Sequence, residues 1–284
     1  MRLPAAALLA LAAMTTQAAD KEHVHDDGVA TMTQAHASDL PTATPITERA
    51  LPQPVKADYL DYFAVGDKAV SGYFAEPRQA SAKAALPGLI VIHEWWGLNA
   101  NVEAMTRQLA AQGYRVLAVD LYNGARAKSP EEAGPLAKAA SADPAAMISN
   151  IQAAHALLKA KGAGKIGTLG WCFGGAQSLQ ATLAMPDSID ATVIYYGKLE
   201  TDPIKLAKLR KPVLGIFGGE DKGIPVEGVR TFELTLLALG VPVDINVYAG
   251  VGHAFANPSG KNYVAAAAED AWLRTTRFLA AKLK

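Results

Sequence analysis

A chain of 284 residues, half of them apolar, can bury a full-sized core, which excludes disorder over most of its length. Lys plus Arg balance Asp plus Glu at 27 each, so no global field draws it toward nucleic acid or an anionic membrane. The expected partner is a small molecule, with no nucleic acid and no stable membrane association.

Residues 1–19 read as a signal peptide, with Arg2 for charge, an Ala/Leu-rich run from Leu3 to Met14, and small residues at Thr16-Gln17-Ala18-Ala19. The run is shorter than the roughly 20 apolar residues of a membrane span, so export and cleavage are expected, to the bacterial periplasm or beyond. One cysteine cannot close an internal disulfide, so the exported protein depends on its core, and an unpaired thiol in an oxidising compartment invites a chemical reading.

Residues 20–55 are polar, rich in Thr, Ala and Pro, and lack helical or strand periodicity, which suits a tether or a loosely docked arm. His23, His25 and His36 lie there, but no second ligand cluster at fixed spacing accompanies them, so no metal site is assigned. From residue 56 to 284 the pattern is that of one domain.

Tyr59 to Val65 and Ala69 to Glu76, split by a Gly-Asp turn, predict an opening hairpin. Short apolar runs follow at Gly88 to His93, Tyr114 to Asp120, Lys165 to Gly170, Ala191 to Tyr196, Pro212 to Phe217 and Asp244 to Tyr248. Between them lie helical stretches near Asn101 to Gln112, Pro144 to Lys161, Gly175 to Ala184, Pro203 to Leu209 and Val226 to Leu239, with Tyr263 to Leu283 at the end. Alternation of this kind predicts an α/β fold with a mostly parallel sheet covered on both faces.

The most informative segment is Gly170-Trp171-Cys172-Phe173-Gly174, a G-x-C-x-G turn between a strand and a helix. In such a turn the central residue holds strained backbone angles, and flanking glycines avoid collisions with neighbouring elements. The helix N-terminus beneath Cys172 favours the thiolate that does the chemistry. A buried core cysteine would not need glycines on both sides, so Cys172 reads as a nucleophile.

A thiol nucleophile needs an imidazole, and the predicted domain offers His93, His155 and His253. His155 falls mid-helix, whereas His253 follows the last strand in a glycine-bearing loop at the sheet's C-terminal edge, where open α/β sheets assemble their sites. Asp221 leaves the strand between nucleophile and histidine, as the chain order nucleophile, acid, histidine requires. Its neighbour Glu220 is the rival, and Asp120 sits at a strand end in the wrong order. The oxyanion donors expected are the backbone N–H groups of Phe173 and of Trp95. Glu94, beside two tryptophans, is either an extra functional carboxylate or a loop acid bonded to a nearby backbone group or arginine.

These residues resemble the dienelactone hydrolase family, a branch of the α/β-hydrolases, across essentially the whole domain. The matching features are His93-Glu94-Trp95-Trp96-Gly97, the turn from Gly170 to Gly175, Tyr195-Tyr196-Gly197, Gly218-Gly219-Glu220-Asp221 and Gly252-His253-Ala254-Phe255. The resemblance implies an α/β-hydrolase fold, a Cys172, His253 and Asp221 triad, and a role for Glu94 in generating the thiolate. It also implies hydrolysis of an ester or enol-lactone without a cofactor. Family members hold a substrate carboxylate with arginines; here Asn257 stands at one such place and Arg126 matches the other loosely. Trp96, Tyr122, Tyr196 and Phe255 are expected to wall the substrate pocket. The competing expectation is a redox-sensing or ligand-binding thiol protein on the same fold.

Overall fold

The computed structural model describes residues 33–284 except 35, 38, 82 and 83. The signal-peptide reading and His23 and His25 lie outside the described residues. After a 3-10 turn at Pro45–Glu48 come β1 (Val55–Val65), β2 (Lys68–Pro77), β3 (Gly88–Ile92), α1 (Ala100–Ala110), β4 (Arg115–Val119), α2 (Pro130–Ser141) and α3 (Pro144–Ala160). There follow β5 (Ile166–Trp171), α4 (Phe173–Ala184), β6 (Ala191–Tyr195), α5 (Pro203–Leu206), β7 (Val213–Gly218), α6 (Val226–Ala238), β8 (Val243–Tyr248) and α7 (Ala265–Leu283).

The eight strands form one sheet in the order β1-β2-β4-β3-β5-β6-β7-β8, antiparallel from β1 through β2 to β4 and parallel from there on. The continuous apolar runs are explained by burial on both faces: every residue of β3 to β7 is buried, whereas no residue of the edge strands β1 and β8 is fully buried. Along β3, Leu89 and Val91 face the layer that contains Leu109 of α1 and Leu279 of α7. Ile90 and Ile92 face the opposite layer, with Ile151 and Leu158 of α3. A third cluster joins α4, α5 and α6 over Ile194, Val213 and Phe217.

Two sequence expectations are revised by the fold. Helix α2 was not expected, because Gly134 and Pro135 break its pattern; Pro130 sits in the first turn, where a missing N–H costs nothing, and Ala133 and Ala137 pack inward. Residues 39–54 follow the docked-arm alternative rather than the tether, with more bonds than a loose contact would make. Asn101 on α1 accepts hydrogen bonds from Thr44 N (3.2 Å) and Thr44 Oγ1 (3.0 Å) and donates to Thr42 O at 3.1 Å. Gln53 donates to Ala111 O at 2.8 Å, and Gln108 donates to Arg49 O at 3.2 Å. No helix among the described residues is long and apolar enough to cross a membrane.

Between β2 and β4 lies a buried ion pair. Arg115, 2% exposed, donates to Glu76 Oε2 at 2.9 Å and to Ala84 O and Ser81 O at 2.8 and 2.6 Å. Burial alone would raise Glu76, but its bonds to Arg115 and Lys56 prevail and lower its pKa. Removing one partner of a buried pair costs about 3–5 kcal/mol. Arg115→Met is expected near the lower end, because Lys56 still reaches Glu76 at 3.0 Å, with urea unfolding as the measurement.

Candidate active site

Strand β5 delivers Cys172 to the sheet's C-terminal edge, where it caps α4 at φ 54 and ψ −116, a left-handed conformation costly for a side chain. Close packing makes the turn possible. A Cβ on Gly174 would collide with Ile92 O and lie 2.5 Å from His93 O, and one on Gly170 would collide with Gly174 O. Glycine at these two positions lets α4 start directly against β3 and β5.

His253 arrives from the loop between β8 and α7, and Asp221 from the end of β7. His253 Nδ1 lies 2.7 Å from Asp221 Oδ2, and Nε2 lies 3.2 Å from Cys172 Sγ. Asp221 is fixed through its other oxygen, which accepts from Gly223 N at 2.9 Å and Ile224 N at 3.0 Å. Glu220 is exposed, and Asp120 accepts from Tyr122 N and Gly124 N at 2.8 Å each, a turn of its own. His93 is fully buried: Nε2 accepts from Leu121 N, and Nδ1 sits 2.5 Å from Glu94 O. His155 lies on α3.

Glu94 is held by Asn257, whose Nδ2 donates to Oε2 at 2.8 Å, and by Tyr196 OH at 3.5 Å. Burial raises its carboxyl to about 7, and repulsion from Cys172 adds to this against His36 and His253. Asn257 thus positions the glutamate. The backbone N–H of Phe173 stands at the start of α4, and that of Trp95 in the loop that leaves β3.

The residue that sequence reasoning missed at the thiol is His36. Its ring stands 4.8 Å from that of Trp95 and 5.5 Å from that of His253, and it is 1% exposed. Asp39 Oδ2 holds its Nδ1 at 2.7 Å. No periodic signal marks this stretch; the one available hint was a histidine with an aspartate three residues on.

A cavity of about 540 Å³ opens beside this cluster, lined by Glu94, Trp171, Tyr196 and Asn257, and also by Arg49, Gln108 and Trp272. Trp96, Tyr122 and Phe255 pack into the core instead. Arg126 points to the surface, where it donates to Tyr59 OH at 2.6 Å.

Burial would push the Cys172 thiol up, but the charge and hydrogen bond of His253, and then those of His36, pull it down to about 6. Burial would lower His253, but the adjacent sulfur and Asp221 raise it to about 10. Both shifts favour a thiolate–imidazolium pair. Alkylation of the reduced protein by iodoacetamide is expected to accelerate through about pH 6, whereas an ordinary thiol titrates near about 8.5. A midpoint near the ordinary value would show that the pair does not form.

A parallel sheet flanked on both faces, with a strained residue at a strand-to-helix turn and an Asp–His row at neighbouring strand ends, defines an α/β-hydrolase. The chain belongs to the dienelactone hydrolase family, whose model matches residues 70–283, and it is a hydrolase acting on a small molecule. It is 32% identical over 224 residues to the protein Usf of Aquifex pyrophilus, covering 74% of this chain and 92% of that one. To a chain of Escherichia coli strain K12 named "Putative carboxymethylenebutenolidase" it is 30% identical over 254 residues, 82% of this chain and 91% of the other. A crystal structure of a dienelactone hydrolase-like promiscuous phosphotriesterase from metagenomic libraries shares the fold, at 23% identity and a TM-score of 0.73 over 81% of this chain and 99% of that one.

Proposed function

We propose that the protein hydrolyses a carboxylic ester or enol-lactone through a thioester on Cys172, with His253 as proton carrier and Asp221 as its orienting acid. The observation that carries this reading is the unbroken row Asp221–His253–Cys172, at 2.7 and 3.2 Å, ending on a left-handed residue at a helix N-terminus.

In this mechanism the thiolate attacks the carbonyl carbon, and the charge that develops on oxygen is met by the N–H groups of Phe173 and Trp95. The acyl C–O bond breaks, and the departing oxygen takes the proton from the His253 imidazolium. Water then attacks the thioester, giving a proton to His253, and the carboxylic acid leaves as the thiolate re-forms. A thiolate is itself a good leaving group, so turnover favours substrates whose oxygen departs as a stable anion, such as an enolate, over amides. Glu94, largely protonated below about 7, leaves the negative charge on sulfur rather than competing with it. The cavity suits a compact substrate, and Arg49, Asn101, Gln108 and Asn257 supply its polar wall. The reading includes export, on the strength of residues 1–19.

Burst kinetics with p-nitrophenyl acetate, beside a small enol-lactone, test the reading. The wild type is expected to show a burst and an acetyl adduct of Cys172 by intact-mass measurement, and Cys172→Ser to lose both. Equal turnover by Cys172→Ser would remove the thiol from the mechanism.

A further inference from the structure

Two imidazoles, not one, converge on the sulfur, and they are supported alike. His253 has Nδ1 on Asp221 Oδ2 at 2.7 Å; His36 has Nδ1 on Asp39 Oδ2 at 2.7 Å. Asp39 is anchored in turn, accepting from Lys261 N at 3.0 Å. Each carboxylate holds the Nδ1 proton, so that release of the Nε2 proton leaves the lone pair on the sulfur side. A carboxylate behind a histidine is the usual support of a metal-binding imidazole, because it orients the ring and raises its basicity.

The His36 Nε2 atom is buried, meets no nitrogen or oxygen partner among the described residues, and faces the Cys172 sulfur. The ligand atoms of His36, Cys172 and His253 all lie within 4.8 Å of one another. Zinc takes nitrogen at about 2.0–2.1 Å and thiolate sulfur at about 2.3 Å in tetrahedral geometry, which sets its ligand atoms about 3.5 Å apart. His253 Nε2 and Sγ are near this already, at 3.2 Å. His36 needs to move by something on the order of 1 Å, and it belongs to an arm that joins the sheet only after residue 54. One thiolate and two imidazoles select Zn²⁺ over the oxygen-seeking Mg²⁺ and Ca²⁺.

We propose that His36, Cys172 and His253 form a binding site for one Zn²⁺ ion, with the N-terminal arm supplying the third ligand, and that zinc occupancy holds the hydrolase off. The inhibition rests on the reading of Cys172 as nucleophile; the metal site does not. Zinc consumes the sulfur and nitrogen lone pairs that attack and proton transfer require, so hydrolysis stops while zinc is bound and resumes when a chelator removes it.

The test uses the full chain, reduced and stripped of metal, titrated with Zn²⁺ against a chromophoric chelator. The wild type is expected to take up one ion, His36→Ala to bind at least about 30-fold more weakly, and Asp39→Asn to lose about 10–100-fold through the supporting carboxylate. The Co²⁺ form is expected to show a thiolate-to-metal charge-transfer band that Cys172→Ser lacks. A double variant, His23→Ala with His25→Ala, is expected to bind like the wild type. Equal affinity in wild type and His36→Ala, a Co²⁺ form without the band, or zinc lost with the double variant would each overturn the site. For inhibition, equimolar Zn²⁺ is expected to silence the wild type and to leave His36→Ala at its own metal-free rate. Zinc bound with hydrolysis undiminished would end the regulatory part. Intact zinc binding in a folded protein with no esterase turnover would instead count against Cys172 hydrolysis.

Discussion

His253→Ala is expected to lower kcat/KM for p-nitrophenyl acetate by about 10³–10⁴-fold while the protein stays folded. In a serine triad, loss of the histidine alone costs about 10⁶-fold. A thiol is more nucleophilic, and a fraction ionises unaided, so the loss here is smaller. Two effects combine: the proton for the leaving oxygen disappears, and the Cys172 thiol loses the partner that contributes most to holding it near 6. The iodoacetamide midpoint is expected to rise in the same variant, which separates loss of the ion pair from general damage. The His253 side chain is largely buried against Asp221, which keeps its two backbone N–H bonds when the imidazole is removed, so urea unfolding is expected to lose about 1–3 kcal/mol, too little to unfold the protein. Retention of more than about a tenth of wild-type activity would place the base elsewhere, with His36 the next imidazole to remove.

Gly174→Ala carries the other large effect, on the fold itself. The added Cβ meets the backbone carbonyl oxygens of Ile92 and His93, which belong to β3 and its exit and cannot turn aside as a side-chain tip could. Relief requires α4 to withdraw from the sheet, and a loss above about 4 kcal/mol is expected, enough to remove most soluble protein. Gly228, within α6, is the control: a Cβ there meets nothing within 4 Å. Gly228→Ala should stabilise by about 0.5–1 kcal/mol through helix propensity. Thermal unfolding of the two variants compares them directly. Comparable stabilities would mean that the close approach of α4 to β3 is absent.

The sheet was readable because burial on both faces writes continuous apolar runs, and the strand limits deduced for β3 to β8 lie within a residue or two of those observed. Cys172, Asp221 and His253 were readable because each sits in a glycine-marked turn at a strand end, where local chemistry and topology coincide. Helix α2 was not, because Gly134 and Pro135 mimic loop punctuation while tertiary packing holds the helix. Of the expected substrate wall, Tyr196 and Asn257 do line the cavity, and the others were misplaced for a different reason. Aromatic residues beside a catalytic turn serve the core as readily as a ligand, and Trp96 and Phe255 were claimed by the core. His36 was beyond reach, since its role depends on a loop-to-loop contact that leaves no periodicity in the chain.

The latch around Asn101 has a consequence in the order of biosynthesis. Besides its bonds to Thr42 and Thr44, Asn101 donates to Ser259 Oγ at 2.6 Å, and Ser259 donates to Thr42 O at 2.8 Å. The segment that leaves the ribosome early therefore seats on residues made more than two hundred codons later, and must wait for them. A nascent chain can complete β1 to β7 and the nucleophile turn while its first segment is still unseated. The seating of Thr42 on Ser259 therefore marks a chain that has been made through its last loop.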